Sequence, residues 1–173
     1  VLQMKRIILL TLVLLGAMSA GGLAFAEEDT EMIVNGKLAP DGKFPYQVRL
    51  YASLEDDRGF CGGSIIDPQW ILTAGHCVVA DSSLSENLQP AETVFVGYGS
   101  TDRTATTKIE AEEIIVNPRY LEKALAGGGD IALIKLKEPI PDAKTVEIAD
   151  DGTEQKLVTR GVKVTVTGWG AIW

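Results

Sequence analysis

The stretch Trp70-Ile71-Leu72-Thr73-Ala74-Gly75-His76-Cys77 decides how the rest of the sequence is interpreted. It starts as an apolar strand and ends in a glycine turn that carries the sequence's only histidine, followed at once by a cysteine. Cys61-Gly62-Gly63-Ser64 lies upstream, and a disulfide between Cys61 and Cys77 would hold the turn that presents the imidazole. A general base must be held in this way to meet a nucleophile within hydrogen-bond reach. Taken alone, a single histidine beside a cysteine is more often a structural residue.

Short apolar runs separated by turn residues surround this stretch. Their regular spacing, without any long helical pattern, predicts an all-β sandwich or barrel. The alternation slips at Glu112-Glu113, which predicts a bulge in the longest strand. The predicted strands cover residues 47–53, 62–66, 70–74, 93–98, 108–116, 131–136 and 162–167.

Composition excludes several classes of function. The sequence has 173 residues, of which 46% are apolar and 23% charged, so it is not a disordered chain. Its net charge of −8 argues against nucleic-acid binding, because no basic stripe can neutralise phosphates. One histidine and two cysteines cannot form a His-rich or four-cysteine metal site, and no cofactor is expected. Glu110, Glu112 and Glu113 lie in a strand-like run, which favours a solvated face over a calcium loop.

The N-terminal residues predict a secretory signal peptide over residues 1–26. Lys5 and Arg6 precede an apolar run, and Ala24-Phe25-Ala26 forms a small-residue cleavage pattern with cleavage after Ala26. An uncleaved membrane anchor is the alternative, but residues 7–25 make a short stretch that is glycine-rich near its end. The chain is therefore expected to be secreted or periplasmic, without a stable membrane anchor. That oxidising setting favours pairing of the two cysteines.

Four motifs, in this order, resemble the chymotrypsin-like (trypsin-like, S1) serine proteases. The motifs are Ile33-Val34-Asn35-Gly36, the pair Cys61-Gly62-Gly63-Ser64 and Thr73-Ala74-Gly75-His76-Cys77, Gly129-Asp130-Ile131-Ala132-Leu133-Ile134, and Val166-Thr167-Gly168-Trp169-Gly170. The resemblance implies a six-stranded antiparallel Greek-key barrel over residues 33–140. It also implies a connector over residues 141–173 that reaches the first strand of a second barrel.

The resemblance implies roles for individual residues. His76 would act as general base and then general acid, and Asp130 would hold its tautomer and stabilise the imidazolium. Without the resemblance, Asp130 is more simply a loop residue that caps a turn after three glycines. Ile33 would be the mature N-terminus that cleavage of a short propeptide, residues 27–32, exposes. Met32 precedes it where many zymogens have Arg or Lys, so activation by a trypsin-like enzyme is not expected.

The nucleophile motif of the family, Gly-Asp-Ser-Gly-Gly, does not occur in these 173 residues. Ser64 is interpreted as a strand residue, and Ser82, Ser83, Ser85 and Ser100 as loop residues. We therefore expect the N-terminal portion of a serine endopeptidase, truncated and inactive by itself. It would act on protein or peptide substrates, require an activating protease and be monomeric at full length. A complete, non-catalytic binding module derived from a protease is the alternative, and an unrelated β-sandwich that matches by chance is a third reading.

Overall fold

Six strands with alternating apolar residues form the framework of the computed structural model, which describes residues 36–80, 88–123 and 128–170. The strands are four to ten residues long. In chain order the strands are β1 (Gln47–Tyr51), β2 (Cys61–Asp67), β3 (Trp70–Thr73), β4 (Phe95–Tyr98), β5 (Thr107–Val116) and β6 (Ala132–Leu136).

The strands close into a barrel in the order β1-β2-β3-β6-β5-β4, with every pair antiparallel. Closure comes from pairing of the first strand with the fourth, where Leu50 lies opposite Val96. The chain leaves β3, crosses to β4 and returns through β5 to β6, so sequence neighbours are not always sheet neighbours. The predicted six-stranded antiparallel Greek-key barrel is confirmed.

Residues at every second position of the strands fill the barrel, because successive side chains point to opposite faces of a strand. Val48 and Leu50 of β1, Ile71 of β3, and Ile134 and Leu136 of β6 are fully buried. Removing apolar surface of this kind from water contributes roughly 1.5–3 kcal/mol per fully buried side chain. The barrel interior is therefore the main source of stability for the strands that carry the site.

The register of β5 shifts between Ala111 and Glu113 where it pairs with β6, which confirms the predicted bulge. Ala111 is buried on one side of the shift, whereas Glu112 and Glu113 are exposed. Glu112 forms an ion pair with Lys135 at 2.9 Å. A second register shift, between Ile65 and Asp67 at the β2–β3 turn, was not predicted.

Among the residues that the structure describes, two short helices lie outside the barrel, and neither was predicted from the sequence. They are α1 (Pro118–Lys123) and α2 (Asp151–Leu157). Asp150 caps α2, because its side chain accepts a hydrogen bond from the Thr153 backbone N–H at 2.7 Å. In the described part of the chain, no helix combines the length and apolar composition needed to cross a bilayer.

The predicted strand over residues 162–167 was wrong, because this segment has no regular structure. A strand needs ladder hydrogen bonds to a neighbour, and no strand pairs with this segment among the described residues. Val164 and Val166 are exposed instead. Side chains tie the end of the segment to the barrel: Thr167 Oγ1 donates to Gln47 Oε1 at 2.6 Å, and Trp169 Nε1 donates to the Thr101 carbonyl at 2.7 Å.

Candidate active site

A disulfide joins Cys61, the first residue of β2, to Cys77, the last residue of a 3₁₀ turn that follows β3. The two Cα atoms lie 6.0 Å apart, and the bridge spans 16 positions of sequence. In the chain-entropy model, closing a loop of that size contributes roughly 3 kcal/mol. The bridge therefore holds the turn Gly75–Cys77 against the barrel wall, as the sequence predicted.

Hydrogen bonds and close packing define the turn itself. Thr73 ends β3 with its hydroxyl buried and donating to the Gly62 carbonyl at 2.8 Å. The Cys77 N–H then bonds the Ala74 carbonyl at 3.2 Å, which closes the turn. A Cβ on Gly75 would lie 2.8 Å from Tyr120 Cδ1, so only glycine fits at this position. The backbone on either side of His76 is thereby fixed.

His76 and Asp130 are joined by two hydrogen bonds. The His76 backbone N–H donates to Asp130 Oδ1 at 2.8 Å, and His76 Nδ1 lies 2.7 Å from Asp130 Oδ2. Because an ionised carboxylate only accepts hydrogen bonds, Nδ1 carries a proton, and the neutral form of the ring therefore has its lone pair on Nε2. The imidazole is 51% exposed and the carboxylate 33% exposed. The arrangement therefore fixes the tautomer of an imidazole that is half exposed to solvent.

The loop before β6 places Asp130. Gly128 and Gly129 have φ angles of 70° and 77°, a left-handed conformation that favours glycine. The Asn117 N–H donates to the Ile131 carbonyl at 3.0 Å, which ties this loop to the end of β5. Asp130 therefore lies on a backbone segment that is tied to the end of β5 and leads directly into β6.

Hydrogen bonding determines the acidity of Asp130. Burial would by itself raise the pKa of this carboxyl, but the hydrogen bonds from the His76 ring and backbone outweigh it, together with the electrostatic attraction of the imidazole and a smaller contribution from the Gly75 N–H. The pKa of Asp130 is consequently held below its usual value. The carboxylate stays ionised at neutral pH, which is the state that orients a neutral imidazole and stabilises a protonated one.

Tyr120, on α1, is a site residue that sequence reasoning missed. Its ring packs on Gly75 and is 2% exposed. Its hydroxyl is buried without a hydrogen-bond partner among the described residues. Burial, together with the nearby charge of Asp130, raises the pKa of the Tyr120 phenol. The signal that could have pointed to it is an aromatic residue that directly follows the polar stretch Asn117-Pro118-Arg119.

The two predicted cysteines lie beside this pair. Ser64 lies within β2, as the sequence predicted. Ile33 and the cleavage position Ala26 lie outside the described residues. A cavity of about 640 Å³ lies elsewhere on the barrel, between residues 37–47, 99–103 and 166–170, and neither His76 nor Asp130 lines it. The chemistry of the described residues therefore centres on one histidine, one aspartate and the adjacent disulfide.

A closed Greek-key barrel that carries a hydrogen-bonded histidine and aspartate beside a disulfide defines the chymotrypsin-like class of serine proteases. Comparison with known proteins supports this assignment. The family model described as Trypsin matches residues 33–173. The chain belongs to the trypsin family.

Individual relatives show the same likeness. Mouse (Mus musculus) tryptase is 34% identical over 172 residues, covering 98% of this chain and 59% of that protein. Mouse vitamin K-dependent protein C is 32% identical, covering 83% of this chain and 30% of its own length. Ovochymase of Halocynthia roretzi is 29% identical over 84% of this chain and 9% of its own length. The chain thus spans less than two thirds of these relatives.

A solved structure supports the fold independently. The secreted serine protease VesC from Vibrio cholerae matches with a TM-score of 0.58 and 27% sequence identity. The match covers 70% of this chain and 25% of that protein.

Proposed function

We propose that this chain supplies the general base and its orienting carboxylate to a serine endopeptidase. The observation that carries the proposal is the double hydrogen bond from His76 to the two oxygens of Asp130. A residue that merely capped the turn would need only the backbone contact. The second bond, to the ring, fixes the tautomer that leaves Nε2 free to accept a proton.

The chemistry follows from that tautomer. Nε2 of His76 accepts the proton of a serine hydroxyl as its oxygen attacks a peptide carbonyl carbon. Asp130 stabilises the imidazolium, which then donates the proton to the departing amine and leaves an acyl-enzyme. Water hydrolyses the acyl-enzyme by the same route, with His76 again accepting a proton. Substrates are accordingly proteins or peptides.

The nucleophilic serine is assigned to residues outside this sequence, because the 173 residues contain no Gly-Asp-Ser-Gly-Gly. The donors that stabilise the oxyanion normally lie beside that serine. The chain alone is accordingly proposed to be inactive. Residues 33–140 form the first barrel, and residues 141–173 lead towards the second.

Processing is part of the same proposal. The leader is removed after Ala26, the product is exported, and a separate protease cleaves after Met32 to expose Ile33. The new α-amino group is largely protonated at neutral pH. Sequencing the N-terminus of the exported protein, before and after activation, tests both positions. A mature N-terminus elsewhere would contradict the assignment of Ile33.

The test of the activity begins with the codons that follow Trp173. We expect the frame to encode Gly-Asp-Ser-Gly-Gly and the longer protein, activated at Ile33, to cleave fluorescently labelled casein. Asp130→Asn should lower kcat about 10⁴-fold, which is the effect of the equivalent substitution in the triad of another protease of this class. Asp142→Asn, at an exposed position, is the matched control.

Three outcomes would contradict the proposal. One is a longer protein that keeps its activity in Asp130→Asn. Another is peptide hydrolysis by the 173-residue chain alone. A frame that encodes no nucleophile motif would instead support the non-catalytic binding module.

A further inference from the structure

We propose that reduction of the Cys61–Cys77 disulfide converts the turn into a binding site for Zn²⁺. The ligands are Sγ of each cysteine and Nε2 of His76. The inference concerns a metal site and does not rest on the proposed peptidase function. The proposed site uses the sulfur atoms of the two cysteines and Nε2 of His76, the ring nitrogen that does not bond to Asp130.

The three ligand atoms are already close together. Sγ of Cys61, Sγ of Cys77 and a ring nitrogen of His76 all lie within 4.8 Å of one another. His76 Nε2 lies 3.5 Å from Cys77 Sγ. Tetrahedral zinc, with bonds of about 2.3 Å to sulfur and about 2.0–2.1 Å to nitrogen, separates those two atoms by about 3.6 Å. One edge of the tetrahedron therefore exists before any metal binds.

The two sulfur atoms have to separate, and Cys61 Sγ, which lies within 4.8 Å of the ring nitrogen, has to settle at about 3.6 Å from it. Two thiolates on one zinc ion lie about 3.8 Å apart, which the broken disulfide reaches by small rotations about the Cα–Cβ bonds. The backbone need not move: Cys61 is held opposite Leu50 in the sheet, and the turn at Cys77 is closed by hydrogen bonds. The barrel thus supplies two fixed anchor points for the sulfur ligands.

The surroundings of His76 suit a metal ligand. Its Nδ1–H donates to Asp130 Oδ2 at 2.7 Å. A carboxylate that holds the far nitrogen of a ligating histidine fixes ring orientation and raises ligand basicity. The ring is half exposed, so water can occupy the fourth position. Thiolate ligands favour Zn²⁺ over Mg²⁺ or Ca²⁺.

The chemistry balances with a phosphine as reductant. The phosphine and one water molecule reduce the disulfide to two thiols, and the phosphine becomes its oxide. Each thiol then releases a proton as its sulfur binds the ion. Because Nε2 is then occupied by metal, it can no longer accept a proton from a hydroxyl. Reduction with zinc would therefore disable the base that the peptidase proposal requires.

The experiment uses the whole 173-residue chain and Co²⁺ as a spectroscopic probe. After treatment with the phosphine, we expect one ion per chain, with a thiolate-to-cobalt charge-transfer band and ligand-field bands of tetrahedral form. Zn²⁺ should displace the cobalt. The oxidised chain should show none of these bands. Because the chain has one histidine and two cysteines, a spectrum of mixed sulfur and nitrogen ligands reports on these three residues.

Variants separate this site from binding by the cysteines alone. His76→Ala should weaken zinc binding, and Asp130→Asn should weaken it 10–100-fold, the usual effect of losing a carboxylate behind a histidine ligand. Asp142→Asn, an exposed carboxylate away from the turn, should leave it unchanged. Circular dichroism checks that the reduced barrel keeps its strands.

Several results would overturn the proposal. They are a reduced chain that binds no Co²⁺, His76→Ala or Asp130→Asn with wild-type affinity, and a barrel that unfolds on reduction and is not restored by metal. Peptidase activity enters none of these measurements, so their failure leaves the proposed function standing.

Discussion

Gly75→Ala is the substitution that most directly tests how the site is built. A Cβ at this position would lie 2.8 Å from Tyr120 Cδ1, 3.1 Å from Tyr120 Cγ and 3.2 Å from Asp130 Oδ1. All three contacts are tighter than ordinary van der Waals distances, and the Tyr120 ring is buried and rigid. The added methyl group must therefore displace the ring, the carboxylate or the turn itself.

The expected cost follows from these contacts. Overpacking a buried site costs about 1–3 kcal/mol. Replacing glycine by alanine also removes about 0.4–1 kcal/mol of unfolded-state entropy, which acts in the opposite direction. We expect Gly75→Ala to lower the free energy of unfolding by about 1–2 kcal/mol. For a chain of this size, that is a fall in Tm of roughly 2–8 °C.

Urea unfolding followed by circular dichroism measures the change. Gly168→Ala is the matched control, because its Cβ would meet nothing within 4 Å, and its stability should stay within about 0.5–1 kcal/mol of wild type. Exchanging Tyr120 for the flexible leucine should reduce the cost of Gly75→Ala, since contacting residues couple by about 0.5–3 kcal/mol. The low-field NMR signal of the His76 Nδ1 proton should weaken in Gly75→Ala.

The reasoning would be refuted by either of two results. Gly75→Ala could prove as stable as Gly168→Ala, which would show that the turn relaxes without cost. Alternatively, the cost could be the same with leucine at position 120, which would show that the tyrosine ring is not the obstacle.

Three further predictions concern the barrel. Tyr120→Phe should keep or raise the free energy of unfolding, because the lost hydroxyl is buried and unpaired among the described residues. Tyr51→Phe should lower it by about 0.5–1.5 kcal/mol, because that hydroxyl donates to a backbone carbonyl at 2.8 Å. Urea unfolding midpoints that rank the two variants in the opposite order would contradict this prediction. Burial would raise the pKa of Asp56, but hydrogen bonds from three backbone N–H groups and the charge of Lys108 hold it below its usual value. Its stabilising contribution is therefore present above the unfolded-state pKa of about 4 and is lost as pH falls through the lowered pKa. The stability difference between wild type and Asp56→Asn should accordingly shrink on acidification, and a difference that stays constant down to low pH would contradict this. Reducing the disulfide without metal should lower the free energy of unfolding by about 3 kcal/mol in the chain-entropy model. Thermal melts with and without phosphine measure this difference, and a clearly smaller difference would contradict the prediction.

Local sequence patterns predicted most of the barrel, because alternation and turn residues act over a few positions. All six strands of the barrel lie where the alternation placed them, with ends that differ by one or two residues. The slip at Glu112-Glu113 predicted the bulge because an extra residue breaks a period of two. The same reasoning failed at residues 162–167, because an alternating segment becomes a strand only when a neighbour accepts its hydrogen bonds.

The candidate site was predicted less completely. The motifs around His76 and Asp130 singled out both residues, although 54 positions separate them. Tyr120 was missed because its importance comes from the ring lying on Gly75, a contact that no periodicity encodes. Helices α1 and α2 were missed because six- and seven-residue helices have too few turns to show an apolar stripe.

The amino-acid sequence by itself determined the all-β class, the order of the motifs and the residue types available for chemistry. Those properties depend on neighbours along the chain and on composition. Only the tertiary structure decided that both oxygens of Asp130 bond to His76, that Nε2 lies beside Cys77 Sγ, and that Gly75 has no room for a side chain. These distances arise when β3, α1 and the loop before β6 pack against one another, and no local pattern specifies such packing.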